Sequence, residues 1–112
     1  MHPQQLHKRS RGILEQIARL GPMRKGSITH QSVWAKAKDG SPVRRGPYPL
    51  YSCKKRGKTV SKRVPRDLVA LYDEQILRFR RFEELIDQFV EVAEQQADTQ
   101  VAEANKKKGS KR

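Results

Sequence analysis

Between Gly46 and Val64 the sequence GPYPLYSCKKRGKTVSKRV leaves the backbone little choice. Two runs, YPLYSC and TVSKRV, are rich in β-branched and aromatic residues. They flank KKRGK, with Gly57 where a tight hairpin turn needs positive φ. A two-residue turn at Arg56-Gly57 fixes the register: Lys55 faces Lys58, Lys54 faces Thr59, Cys53 faces Val60 and Tyr51 faces Lys62. Alternate strand residues share a face. Tyr51, Cys53, Val60 and Val64 are therefore expected beneath, in the core, and Ser52, Lys54, Thr59, Ser61 and Arg63 above. Like charges crowded at a turn repel one another, an arrangement that makes sense if a polyanion meets that surface.

The rest of the chain supplies what this hairpin lacks. Residues 1–22 form an N-terminal helical segment: a polar, frayed start to Arg9, then a helix over about Arg11 to Leu20 capped by Ser10. Ile13, Leu14, Ile17 and Leu20 mark its buried stripe, and Gly21-Pro22 ends it. Residues 23–65 form a basic three-stranded sheet. Its first strand is SITHQSVWAK, Ser27 to Lys36, with Ile28, Val33 and Trp34 as apolar members. Asp39-Gly40 and Ser41-Pro42 carry turn chemistry. Pro47 and Pro49 lack backbone donors, so pairing of the second strand is expected only from about Leu50.

From Arg66 no Gly or Pro occurs until Gly109, which predicts one long acidic helix over residues 66–103. Tyr72, Phe79, Phe82, Ile86, Phe89 and Ala93 recur along it at seven-, three- and four-residue steps, the seam of a helix that meets another helix. Its first half should pack on the sheet. Its second half should pair with the N-terminal helix or with a second copy of the chain. Residues 104–112 read as a disordered basic tail. The fold class expected is α+β: short N-terminal helix, three-stranded antiparallel sheet, long C-terminal helix with coiled-coil character.

Charge narrows the function. The 112 residues carry a net +13, distributed in blocks. Residues 1–66 hold 17 Lys and Arg against Glu15 and Asp39; residues 67–103 hold ten acids against three Arg; residues 104–112 hold five cations and no acid. A basic module of this kind points to nucleic acid. Cys53 is the only cysteine, which precludes an internal disulfide and a cysteine zinc site within one chain. With no apolar run of membrane-spanning length, and no apolar centre in MHPQQLHKRSRG to make a signal peptide, the expected compartment is the cytoplasm, with no membrane partner.

Catalytic chemistry is not expected. His2 and His7 lie in a polar segment, and His30 lies in a strand without a nearby acid or nucleophile. No glycine-rich phosphate loop, HExxH or serine-nucleophile elbow occurs. No catalytic residue, metal ligand or cofactor is assigned.

Four segments carry a resemblance: MRKGSI at Met23–Ile28, RRGPYPLY at Arg44–Tyr51, GKTVSKRVP at Gly57–Pro65, and ILRFRRFEELIDQF at Ile76–Phe89. In order and spacing they resemble a small bacterial domain family of unknown function, associated with transposases and mobile elements. Family members commonly carry a C-x-x-x-x-C-x-C cluster after the first strand. Here that region reads VWAKAKDGSPV, so no metal role carries over, and Trp34 with the DGSP turn is expected to replace the knuckle by packing. More loosely, three strands followed by a helix resemble the arm-binding domains of tyrosine recombinases, which lay a sheet in the DNA major groove.

Three readings follow. The first is duplex DNA bound by the hairpin, the chain being an accessory of a transposase or recombinase. Lys54, Lys55, Arg56, Lys58, Lys62 and Arg63 would supply charge there, and Ser52, Thr59 and Ser61 hydrogen bonds, with Lys36, Lys38, Arg44 and Arg45 flanking. The second is RNA, with Tyr48, Tyr51 or Trp34 stacking on unpaired bases. The third is a coiled-coil adaptor that forms a homodimer or docks on a larger protein through the long helix, its basic half serving only as an auxiliary anchor.

Overall fold

The computed structural model describes residues 2–110 of the chain. The fold is α+β. Helix α1, Pro3–Ala18, precedes strands β1, Ser27–Lys36, β2, Pro42–Lys55, and β3, Lys58–Arg63. A single 3₁₀ turn, Arg66–Leu68, leads into helix α2, Val69–Ser110. The strands form one antiparallel sheet in the order β1-β2-β3. The described chain divides into two compact units: residues 2–21 with 80–110, and Pro22–Phe79.

In the first unit α1 starts eight residues earlier than Ser10 suggests. Gln4 N–H donates to His2 Nδ1, and His2 N–H donates to Gln5 Oε1, both at 3.2 Å. With Pro3 as the first helical residue, these contacts satisfy end donors that a helix otherwise leaves open. The earlier start also gives the apolar stripe another member. Leu6, seven residues before Ile13, is fully buried with Ile13, Leu85 and Val92, and Ile17, Leu20 and Phe89 pack around them. Leu14, expected in the stripe, is 49% exposed because the stripe runs through 6, 13, 17 and 20.

The seam on α2 is likewise shifted. Leu85 and Val92 are fully buried and Phe89 packs beside them, whereas Ile86 is 36% exposed and Ala93 is half-buried. Helical pairing with α1 thus uses Leu85 and Val92 where the aromatic-led spacing favoured Ile86 and Ala93. Nor does α2 give way to a loose tail. It continues through residues 105–110, where Lys107 and Lys108 lie at the end that favours cations. Lys111 and Arg112, also assigned to that tail, lie outside the described residues.

The second unit holds the sheet. Tyr51, Cys53, Val64 and Ile76 form its core, with Ile28, Val69 and Tyr72 packed around them. The start of α2 therefore covers the inner face of the sheet. Gly26 adjoins this packing at φ +126°, and a Cβ there would lie 2.5 Å from the Ser52 carbonyl oxygen, so only glycine fits. The β2–β3 register agrees pair by pair with that fixed by the turn, from Lys55 opposite Lys58 to Leu50 opposite Arg63. β2, however, is paired from Pro42, well before Leu50. Pro42 and Pro47 fall where the ladder spares a donor. Pro42 opens the strand, Pro47 lies at the irregularity opposite Gln31–Val33, and the Pro49 carbonyl accepts from Val64 N–H at 3.1 Å.

Candidate nucleic-acid interface

Arg56 and Gly57 have φ of +51° and +79°. Positive φ at both central residues is the mark of a type I′ turn, whose twist matches that of the strands it joins. The turn carries the register down the hairpin and decides where each cation points. On the outer face, opposite the helix, lie Ser52 beside Ser61, Lys54 beside Thr59, and Arg63 beside Leu50. The Ser52 and Ser61 hydroxyls share a hydrogen bond of 2.8 Å. Thr29 pairs with Leu50, and Ser27 with Ser52, so β1 extends this polar surface.

The inner face is not uniformly apolar. Alternation places Lys62 with Tyr51, and Lys55 and Lys58 beyond Cys53 and Val60. Val60, expected in the core, is 48% exposed, since the packed core of this unit ends at Cys53. The space beside it is a groove of about 490 Å³ lined by Arg24, Lys25, Lys54, Lys55 and Lys62 together with Met23, Tyr51, Cys53 and Val60. The tip of the hairpin is therefore cationic on both faces, with Arg56 at the turn. It is not cationic above and greasy beneath.

Arg24 and Lys25 were not among the residues singled out from the sequence. They reach the groove because Ser27 pairs with Ser52, which draws the preceding residues alongside the hairpin. The RK pair just ahead of β1 was a signal, but the β1–β2 register needed to use it was not fixed by any turn residue.

Several contacts hold these cations in place. The Arg24 guanidinium donates through Nε to Gln75 Oε1 at 2.6 Å and lies 4.1 Å from the centroid of Tyr72. Lys62 Nζ lies 5.6 Å from the same ring. The Tyr51 hydroxyl donates to the Lys25 carbonyl, and its ring meets Tyr72 edge-on with centroids 5.4 Å apart. Burial pushes the Tyr51 hydroxyl pKa up. A hydrogen bond from the neighbouring Lys62 ammonium pulls that of Tyr72 down.

Beyond β3 the sheet narrows to a two-stranded ribbon. Residues Val33–Lys36 of β1 pair with Pro42–Arg45 of β2, while β3 reaches no further along β2 than Leu50. Lys36, Arg44 and Arg45 stand exposed on the ribbon, and Lys38 in the loop at its end. In that loop Asp39 Oδ1 accepts from Ser41 N–H at 3.0 Å and from Ser41 Oγ at 2.6 Å, which holds its carboxyl below the usual range. Trp34 does not pack there in place of a metal knuckle. It is 73% exposed.

Arg78 pairs with Glu74 and Arg81 with Glu84, all four on α2. Neither pair engages a cation of the hairpin or the ribbon, and no cluster of His, Cys, Asp or Glu suited to a metal ion occurs among the described residues. No described helix is long and apolar enough to cross a membrane. These features define a class: a small α+β unit presenting a cationic β-hairpin and a basic two-stranded ribbon. Comparison with known protein families, curated proteins and solved structures gives no match.

Proposed function

We propose that this chain is a non-enzymatic nucleic-acid-binding protein that inserts the β2–β3 tip into the major groove of duplex DNA. The observation that carries the reading is the distribution of cations about that tip. Alternation puts Lys54 on one face and Lys55 and Lys58 on the other, with Arg56 at the turn and Lys62 and Arg63 further down the two faces, and no ion pair neutralises any of them among the described residues. A surface laid flat on DNA would use one of these sets. A ribbon standing edge-first in a groove about 12 Å wide brings each set toward one wall of phosphates. Hydroxyls of Ser52, Thr59 and Ser61 on one side, and Arg24 and Lys25 on the other, fit the same pose. The resemblance of four segments to domains associated with transposases supports a role as an accessory of a transposase or recombinase, acting in the bacterial cytoplasm.

Equilibrium binding to a labelled duplex tests this. If about six phosphates are neutralised, log K should fall against log salt with a slope of about −5. Changing Lys54, Arg56 and Lys58 together to Glu should abolish binding while far-ultraviolet circular dichroism is unchanged. Retained binding by the triple variant at low salt would remove the hairpin from the interface. Tighter binding to duplex RNA than to DNA would reassign the partner.

A further inference from the structure

We infer that Trp34, with Lys36 and Arg44, forms a stacking platform for an unpaired nucleobase, so that the ribbon takes a single-stranded segment. The inference rests on the nucleic-acid reading above and adds to it a second contact with its own chemistry.

Trp34 is the chain's only tryptophan and, among the described residues, the most exposed of the large apolar side chains. Leaving so large a ring in water forgoes the burial that normally places tryptophan in a core. Its setting is also regular. Trp34 pairs with Arg44, and Lys36 with Pro42, in an unbroken antiparallel ladder. Alternation puts Trp34, Lys36 and Arg44 on one side of the ribbon, and Val33, Ala35, Val43 and Arg45 on the other. The second side shelters its small apolar residues, with Val33 and Ala35 half-buried, while the first leaves its indole open between two cations.

That combination suits one ligand chemistry. An unpaired base offers a π-face to the indole, and the phosphates on either side of it offer charge to Lys36 and Arg44. A membrane surface would match the Trp and the cations. It would leave no use for the hydroxyl-lined sheet face and cationic groove of the same unit, which already favour a polyanion with hydrogen-bonding edges. Within a closed duplex the bases are stacked on one another and present no free face.

Because Trp34 is unique, its fluorescence reports this site alone. A short labelled oligothymidylate and a duplex of equal length would each be titrated into the full chain, following label anisotropy and tryptophan emission together. The single strand should quench Trp34 strongly, and the duplex weakly. Trp34→Ala should weaken oligothymidylate binding about tenfold, leave duplex binding within about twofold, and leave circular dichroism unchanged. Trp34→Phe, which keeps a stacking ring, should recover most of the loss. Single-strand binding with unaltered emission and an unaffected Trp34→Ala variant would overturn the platform while sparing the hairpin. Equal quenching by both ligands would make Trp34 a wedge between duplex base steps and would overturn it too. Absence of any oligonucleotide binding at low salt would remove both readings.

Discussion

The guanidinium carbon of Arg63 lies 4.1 Å from the centroid of the Tyr48 ring, across the outer face of the sheet. Arg63 pairs with Leu50, two residues along β2 from Tyr48, so the contact is diagonal. A cation over a ring contributes about 0.5–1 kcal/mol at an exposed site and more where it is desolvated, and the half-buried Tyr48 ring fixes where the charge stands on the outer face. A double-mutant cycle with Tyr48→Leu and Arg63→Gln, read by chemical denaturation, should give a coupling energy of about 0.5–1 kcal/mol. Tyr48→Leu alone should also weaken duplex binding, although it removes no charge. A coupling near zero would mean that Arg63 is not held there in solution.

Arg56 occupies a left-handed conformation, φ +51°, that suits Asn or Gly far better than a long side chain. Arg56→Asn should therefore stabilise the protein by up to about 1 kcal/mol, a part of the roughly 1–2 kcal/mol that the left-handed region costs an ordinary residue. If the guanidinium contacts nucleic acid, the same change should weaken binding. Stability rising while affinity falls is the joint outcome expected from denaturation and anisotropy on one variant. An affinity unchanged by Arg56→Asn would leave the turn arginine without a role in binding.

Two tyrosines of the second unit should titrate in opposite senses. Burial raises the Tyr51 pKa above the ordinary value of about 10. The stability linked to it is complete below that value and is lost as pH rises through the folded-state pKa. The Lys62 ammonium lowers the Tyr72 pKa. Its contribution is present above about pH 10 and is lost as pH falls through the folded-state pKa. In a tyrosinate absorbance titration, Tyr72→Phe should delete an early step and Tyr51→Phe a late one. Replacing Lys62 with Met should shift the early step to higher pH.

How much of this was legible in the sequence depended on whether a local signal fixed the geometry. The Arg56-Gly57 turn fixed every pair from Lys55–Lys58 inward, because two-residue hairpins admit one register. The limits of β1 followed from its composition and the turn residues beyond it. The exposure of Trp34 is not legible there, because alternation tells which side of a strand a residue takes and says nothing of whether anything covers that side. That of Val60 is not legible for the same reason. The start of α1 is not legible in the sequence because histidine is an unusual cap; Pro3 at the first helical position and Gln5, which accepts from His2 N–H, accompany it there. At the candidate interface, the individual cations were visible from charge alone. Their division between two faces was implicit in the register, and the groove that adds Arg24 and Lys25 needed the β1–β2 pairing.

The one-residue difference between Leu85 and Ile86 gives the clearest energetic test of helix pairing in the first unit. Leu85 is fully buried against Leu6, Ile13 and Val92, whereas Ile86 is exposed. Truncating a buried leucine removes transfer energy and leaves a cavity, so Leu85→Ala should cost about 2–5 kcal/mol. Ile86→Ala should cost less than about 1 kcal/mol in a monomer, as expected of a surface change. The aromatic-led spacing Phe82, Ile86, Phe89, Ala93 would reverse that order, making Ile86 the costly position. Comparing the two variants by thermal and chemical denaturation, at several protein concentrations, separates the cases. If the Ile86→Ala loss grows with protein concentration, the exposed side of α2 is joining a second copy of the chain, and the adaptor reading regains its footing.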